Sequence, residues 1–233
     1  MTYSESVVEV LKQIAQDESV KQGIEFWNKN KSSAKYEDVE NFSKKIGSAT
    51  AKYLEPIAQN LDPQEIKQIY KHVSNIVIKY ANDASEDITH SAGLRYVPSV
   101  EIDVKKDIND MLDNLVTRLA DWDEWEDVKF LVQENAARSI TRKASTSHLK
   151  YTSRKQQQAG MSVLISRDEG GGCCEWCASI AGTYTSYDDL PSDFWQVHRN
   201  CTCVFHYKVG KTQDRISFIT DDKGNISKRT EEE

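Results

Sequence analysis

Gly170-Gly-Gly-Cys-Cys-Glu-Trp-Cys177, a connector of twenty residues, then His198-Arg-Asn-Cys-Thr-Cys203: this stretch governs the reading of the whole chain. All five cysteines of the 233-residue sequence fall inside it, and one of the five histidines heads its second group. Cysteines placed only for packing have no reason to gather so closely. A metal supplies one, because zinc is held tetrahedrally by sulfur and nitrogen donors, commonly as two short-spaced pairs on two turns. Cys174-Glu-Trp-Cys177 has the two-residue gap that lets a tight turn aim both sulfurs at one ion, and His198-Arg-Asn-Cys201 repeats it. The connector, 178–197, suits a two-knuckle site. Cys174, Cys177, His198 and Cys201 are therefore the first-choice ligands. Cys203 is an alternate in the second pair and Cys173 an alternate for Cys174.

Two other uses of the cysteines compete. Disulfides such as Cys177–Cys201 need an oxidising compartment. Met1 is followed by Thr-Tyr-Ser-Glu rather than a basic and then apolar leader, so no export signal is expected. An odd cysteine count also leaves one sulfur out of any intramolecular pairing. A catalytic thiol is the other alternative, with Cys201 as nucleophile and His198 or His206 as base.

Working outward, Met161 to Arg167 is a short apolar, β-branched run that reads as a strand delivering the chain to Gly170-Gly-Gly172. Cys203-Val-Phe-His-Tyr207 alternates like a second strand. Arg215 to Thr220 and Asn225 to Lys228 flank Asp221-Asp-Lys-Gly224, a hairpin signal. Upstream, residues 137–160 hold six basic residues and no acid. On a helix, Arg138, Arg142, Lys143, Lys150 and Arg154 share about half the circumference, with Ile140, Ala144 and Tyr151 opposite. The expectation is an amphipathic helix with a cationic outer face. Such a face can hold nucleic-acid phosphates without reading sequence. It equally suits a solvated surface or a dock for an acidic patch.

The first half is helical by period. Val7, Leu11, Ile14, Val20, Ile24 and Trp27 run through residues 4–29; Val39, Phe42, Ile46, Ala49 and Tyr53 form a second stripe. Asp62-Pro63-Gln64-Glu65 has the grammar of a helix start, with Asp62 as cap, proline at the first position and Glu65 reaching back. Ile66, Ile69, Tyr70, Val73, Val77 and Tyr80 follow on one face. The chain turns irregular between Asp83 and Pro98, and Val104, Ile108, Leu112, Leu115 and Leu119 begin another helix. Trp122 and Trp125 among acids read as structural. The expected fold class is α+β: an antiparallel helical bundle over 1–95, then a second domain over 96–233 with helices within 100–158 and a zinc-stapled, β-rich region over 161–228. Hydrophobic residues make up 38% and charged residues 29%, with a net charge of −7. That balance excludes a simple polycation, and no apolar run reaches the ~20 residues of a membrane span.

The C-terminal order of features resembles the phage head morphogenesis (Mu protein F-like) minor head protein family. The residues that carry the resemblance are Ile140-Thr-Arg-Lys143, Cys174-Glu-Trp-Cys177-Ala-Ser-Ile-Ala-Gly182 and His198-Arg-Asn-Cys-Thr-Cys203, within residues 100–210. Arg199 stands where the family usually has proline, Lys143-Ala144 stands where Thr-Glu is common, and Cys173 is an added cysteine. The resemblance implies a virion component of a tailed phage or prophage, located inside the head near the portal after assembly in the host cytoplasm. Its expected role is in head assembly or in DNA packaging and ejection. It also implies a portal or major capsid protein as partner, possible contact with packaged double-stranded DNA, and zinc in a purely structural role, so that no enzymatic activity is expected. The alternative is a zinc-stabilised nuclease of the His-metal type with His206 as base. A sequence-specific DNA-binding regulator is disfavoured, because no helix with an Arg/Asn/Gln-rich reading face follows either knuckle.

Overall fold

The computed structural model describes residues 3–30, 35–121, 124–170, 174–198 and 201–211, together with the backbone of 217–220 and 226–229. Among the described residues eight α-helices precede or interrupt a small sheet: α1 (Glu5–Gln16), α2 (Glu18–Asn30), α3 (Tyr36–Leu54), α4 (Pro63–Ser91), α5 (Glu101–Ala120), α6 (Trp125–Val128), α7 (Glu134–Gln158) and α8 (Glu175–Ile180). The strands are β1 (Ser162–Asp168), β2 (Gly182–Tyr184), β3 (Val204–Gly210), β4 (Ser217–Thr220) and β5 (Ile226–Arg229). The architecture is α+β, as expected. Antiparallel β1 lies at the centre of a β2-β1-β3 sheet, and β4 pairs antiparallel with β5. The turn expected at Asp221–Gly224 lies outside the described residues.

The helix expected over 4–29 divides at Asp17. The six-residue gap from Ile14 to Val20 breaks the apolar register, and Asp17 takes an extended conformation (φ −60°, ψ 133°). Its carboxylate then accepts from the Ser19 backbone and hydroxyl and from Lys52 and Tyr53 of α3, which together hold it well below the usual carboxylate range. The start of α4 follows its sequence grammar: the Asp62 side chain takes the Gln64 N–H and Glu65 reaches back to the Asp62 N–H. Its end does not. Helix continues through the tract expected to be irregular, as far as Ser91, because Ala84, Ser85 and Thr89 are buried. Gly93 (φ +70°) stops it, a left-handed position that favours glycine.

Helix α7 sits at the centre of the molecule, packed against α3, α4 and α5. Its buried residues go round the helix and include Thr141, Ser145, Thr146, Ser147, Thr152 and Ser153. Small hydroxyl residues let neighbouring backbones come close while their O–H groups bond to the preceding turn, as Thr146 and Ser153 do to the carbonyls of Arg142 and Leu149. The closest approach is at Gly47 of α3, where a Cβ would meet Thr141 Oγ1 at 2.5 Å and the Arg138 Cα at 2.7 Å. One cluster of buried apolar residues runs from Val7 to Val209, so the core continues across residue 95. The described helices include none long and apolar enough to cross a membrane.

Candidate metal centre

The Cys/His cluster lies where α8, the 198–203 turn and the end of β1 meet. Cys174 caps the start of α8 with extended backbone, and the first helical turn brings Cys177 round to the same side. Cys174 is exposed, whereas Cys177, Cys201 and Cys203 are buried. The Cys177 sulfur lies 2.8 Å from His198 Nε2 and 3.8 Å from the Cys201 sulfur. Cys174 lies 3.3 Å from the same His198 nitrogen. Cys177 therefore belongs to two donor trios, Cys174–Cys177–His198 and Cys177–Cys201–Cys203, each with its atoms within 4.8 Å of one another.

These separations fit a metal ion. Bonds of ~2.3 Å to sulfur and ~2.0 Å to nitrogen at tetrahedral angles imply sulfur–sulfur edges of about 3.8 Å and sulfur–nitrogen edges of about 3.5 Å. The Cys177–Cys201 distance matches the first edge and the Cys174–His198 distance lies close to the second, while Cys177–His198, at 2.8 Å, is shorter than it. Without a cation, burial and then the Cys203 and Cys201 sulfurs beside it push the Cys177 thiol far above its ordinary range. A metal reverses that preference, since it binds the thiolate. Of the four first-choice ligands, Cys174, Cys177 and His198 form one trio, while Cys201 joins Cys177 and the alternate Cys203 in the other, so the two trios meet at Cys177; Cys173 lies outside the described residues.

Two buried arginines build the walls of this cluster. Arg167, fully buried on the central strand, stands opposite Phe205 of β3 and Gly182 of β2. Its guanidinium donates to the carbonyls of Phe194 and Gln196, and it lies 3.3 Å from the Cys177 sulfur and 3.7 Å from that of Cys201. Burial works to lower its pKa, but the sulfurs of Cys203, Cys201 and Cys177 outweigh it and the net shift is upward. The guanidinium is also flanked by Trp176 and Phe205, 5.5 and 5.2 Å from their ring centroids. From Phe205 the rings stack outward through Trp195 and Tyr187 to Arg154 at the surface.

Arg142 is the second. It is 2% exposed and donates to the carbonyls of Cys201 and Cys203, the latter at 2.7 Å. Glu40 of α3, 1% exposed, pairs with it at 3.4 Å and accepts the Phe205 N–H with its other oxygen. This corrects the expectation of an outer cationic face: Arg142 points inward and pins the second knuckle. The other four predicted contact residues do not form one stripe either. Arg138 is half-exposed, 3.8 Å from Glu134. Lys143 is half-buried, its pKa lowered by burial despite Asp107 nearby. Lys150 lies 5.2 Å from the Tyr151 ring centroid, and Arg154 is exposed beside Tyr187.

Sequence patterning does not single out Arg167 or Glu40, and it marks Gly170 only as the start of a glycine run. Tyr36, Glu40, Ser43, Gly47 and Thr50 recur at helical spacing and are all buried, a polar stripe beside the apolar one on α3. That stripe is the signal for Glu40. At Gly170 a Cβ would stand 2.3 Å from the Thr202 carbonyl oxygen, so glycine is required by close backbone approach. Its neighbours 171–172 lie outside the described residues.

No protein-family model, curated protein or solved structure matches the chain. The resemblance in residues 140–203 rests on its motif residues alone.

Proposed function

We propose that the chain is a structural minor head protein of a tailed phage or prophage, whose C-terminal region is stapled by one zinc ion and which performs no catalysis. The single observation that supports this reading best is that the motif residues of the resemblance gather in two donor trios, Cys174–Cys177–His198 and Cys177–Cys201–Cys203, joined at Cys177. Zinc bound there would cross-link the α8 turn to the 198–203 turn, adding folding free energy to a region with little core of its own. Four protein ligands would leave no position for water or substrate. Arg142 and Arg167 act on the protein side, holding the carbonyls and sulfurs of both knuckles in place. Portal or major capsid protein is the proposed partner, and packaged DNA a secondary contact through the exposed Arg154 and the half-exposed Arg138 and Lys150. A mass-spectrometric inventory of immature and mature heads tests this: presence beside the portal protein is expected, and absence from both kinds of head rejects it.

A nuclease is the second reading, supported by a different observation. His206 Nε2 lies 2.9 Å from Asp168 Oδ2, a base oriented by a carboxylate, and His206 lines a cavity of about 630 Å³ between α3, the end of α4 and β3. Among the described residues, however, both metal-binding trios contain cysteine and neither includes His206. Plasmid nicking that survives purification and vanishes in His206→Ala would favour this reading over the first.

A further inference from the structure

A second cavity, of about 120 Å³, opens between the first turns of α7 and residues 198 and 201–202, lined by Asn135, Arg138, Ser139, Arg142, His198, Cys201 and Thr202. No carboxylate is among these lining residues. Arg142 spends its two terminal nitrogens on the Cys201 and Cys203 carbonyls and on Glu40. Its Nε is buried and has no hydrogen-bond partner, although buried donors are nearly always satisfied. Lys44, half-buried on α3, is close enough that Arg142 and Arg138 both act on its charge. The opposing charges are Glu40, bound to Arg142, and Glu134, 3.8 Å from Arg138 and largely exposed. The cations on the cavity wall are thus Arg138 and Arg142, and neither Glu40 nor Glu134 lines it.

A buried, unpartnered guanidinium N–H beside a cationic rim is unfavourable without an acceptor. It is well matched by a tetrahedral oxyanion, which accepts several charge-assisted hydrogen bonds at once. The volume holds several waters or one such anion. We propose that this cavity is an oxyanion site that takes a phosphate group, with Arg138 and Arg142 as its principal ligands and Asn135, Ser139 and Thr202 as polar walls. The site joins α7 to the second knuckle, so its occupant reinforces the contact that Arg142 makes from the other side. This inference requires neither the virion assignment nor the identity of the metal.

The full, metal-replete chain is titrated with inorganic phosphate against chloride at constant ionic strength, by isothermal titration calorimetry, with bound metal counted in every sample. One saturable site per chain is expected. Binding should weaken about tenfold in Arg138→Gln and in Lys44→Gln, the loss expected for one charged hydrogen bond or near charge. It should be unchanged in Lys21→Gln, an exposed lysine of α2 that does not line the cavity. Counting the metal shows separately whether a variant has lost the cluster, and Lys44→Gln serves if Arg138→Gln does. A short single-stranded oligonucleotide then distinguishes the sources: displacement of phosphate assigns the site to a nucleic-acid backbone, and retention assigns it to free phosphate. Absence of saturable binding, or equal binding in wild type, Arg138→Gln and Lys44→Gln, overturns the proposal.

Discussion

The guanidinium of Arg167 lies 3.3 Å from the Cys177 sulfur with no solvent exposure, so a permanent positive charge is sealed into the wall of the cysteine cluster. An arginine there is tolerable only where negative charge is close, and thiolates bound to a metal would supply it. Its two carbonyl acceptors take one terminal nitrogen and the Cys177 and Cys201 sulfurs face the other.

Replacing Arg167 should therefore act on the metal before it acts on the fold elsewhere. Arg167→Lys keeps the charge but loses the planar fork that serves carbonyls and sulfurs together. We expect metal affinity to fall roughly 10–100-fold, the usual effect of losing a partner that orients ligands. Competition with a chromophoric chelator measures it, and unchanged affinity would remove Arg167 from this role.

Glu40 and Arg142 form a buried pair, and removing one partner strands the other. Glu40→Ala should destabilise the chain by about 3–5 kcal/mol in denaturant unfolding. The double variant Glu40→Leu/Arg142→Met should cost less than the sum of the two single changes, because no charge remains buried alone. Additive losses would show that the pair does not act as a unit.

His148 carries the clearest pH dependence. It is fully buried on α7, one ring nitrogen 2.8 Å from the Tyr36 hydroxyl and the other 2.7 Å from Asn82 Oδ1, contacts that a neutral ring satisfies. Burial pulls its pKa down to about 3. The unfolded chain gains this proton near pH ~6.5 and the folded chain does not, so stability falls as pH drops from there and levels off only below about 3. The slope contributed is about 1.4 kcal/mol per pH unit. Chemical denaturation of wild type and His148→Gln between pH 7 and 5 should differ by that slope; parallel curves would contradict it.

Gly170→Ala tests the seam between the strand and the second knuckle. The added methyl meets Thr202 backbone, which cannot swing aside as a flexible side chain would. Metal affinity should drop with stability while helix content holds, as read by chelator competition and far-ultraviolet circular dichroism. Retained affinity would mean that the 201–203 turn can shift without disturbing the donors.

How far the sequence carries depends on the physics of each element. The Cys-x-x-Cys and His-x-x-Cys spacings were legible because tight turns impose them, and the stripes of α3, α4 and α5 because one face of each is apolar. β1 and β3 followed from β-branched alternation. Helix α7 was misjudged, since its burial rests on serine and threonine, which pattern reading counts as polar. Arg142 looked like a surface cation because its partner, Glu40, lies 102 residues away and no local rule joins them. The same holds for Arg167, whose acceptors come from the connector and from both knuckles. The end of α4 was placed early because Asp83 to Ser91 looked polar, while tertiary contacts bury enough of it to keep it helical.

The most direct test of the two-knuckle clamp is the metal content and coordination shell of the chain purified without chelators, by elemental analysis and X-ray absorption. The account predicts one zinc per chain, with sulfur neighbours at ~2.3 Å and nitrogen at ~2.0–2.1 Å. A chain holding far less than one ion, or an ion surrounded only by oxygen and nitrogen, would contradict it.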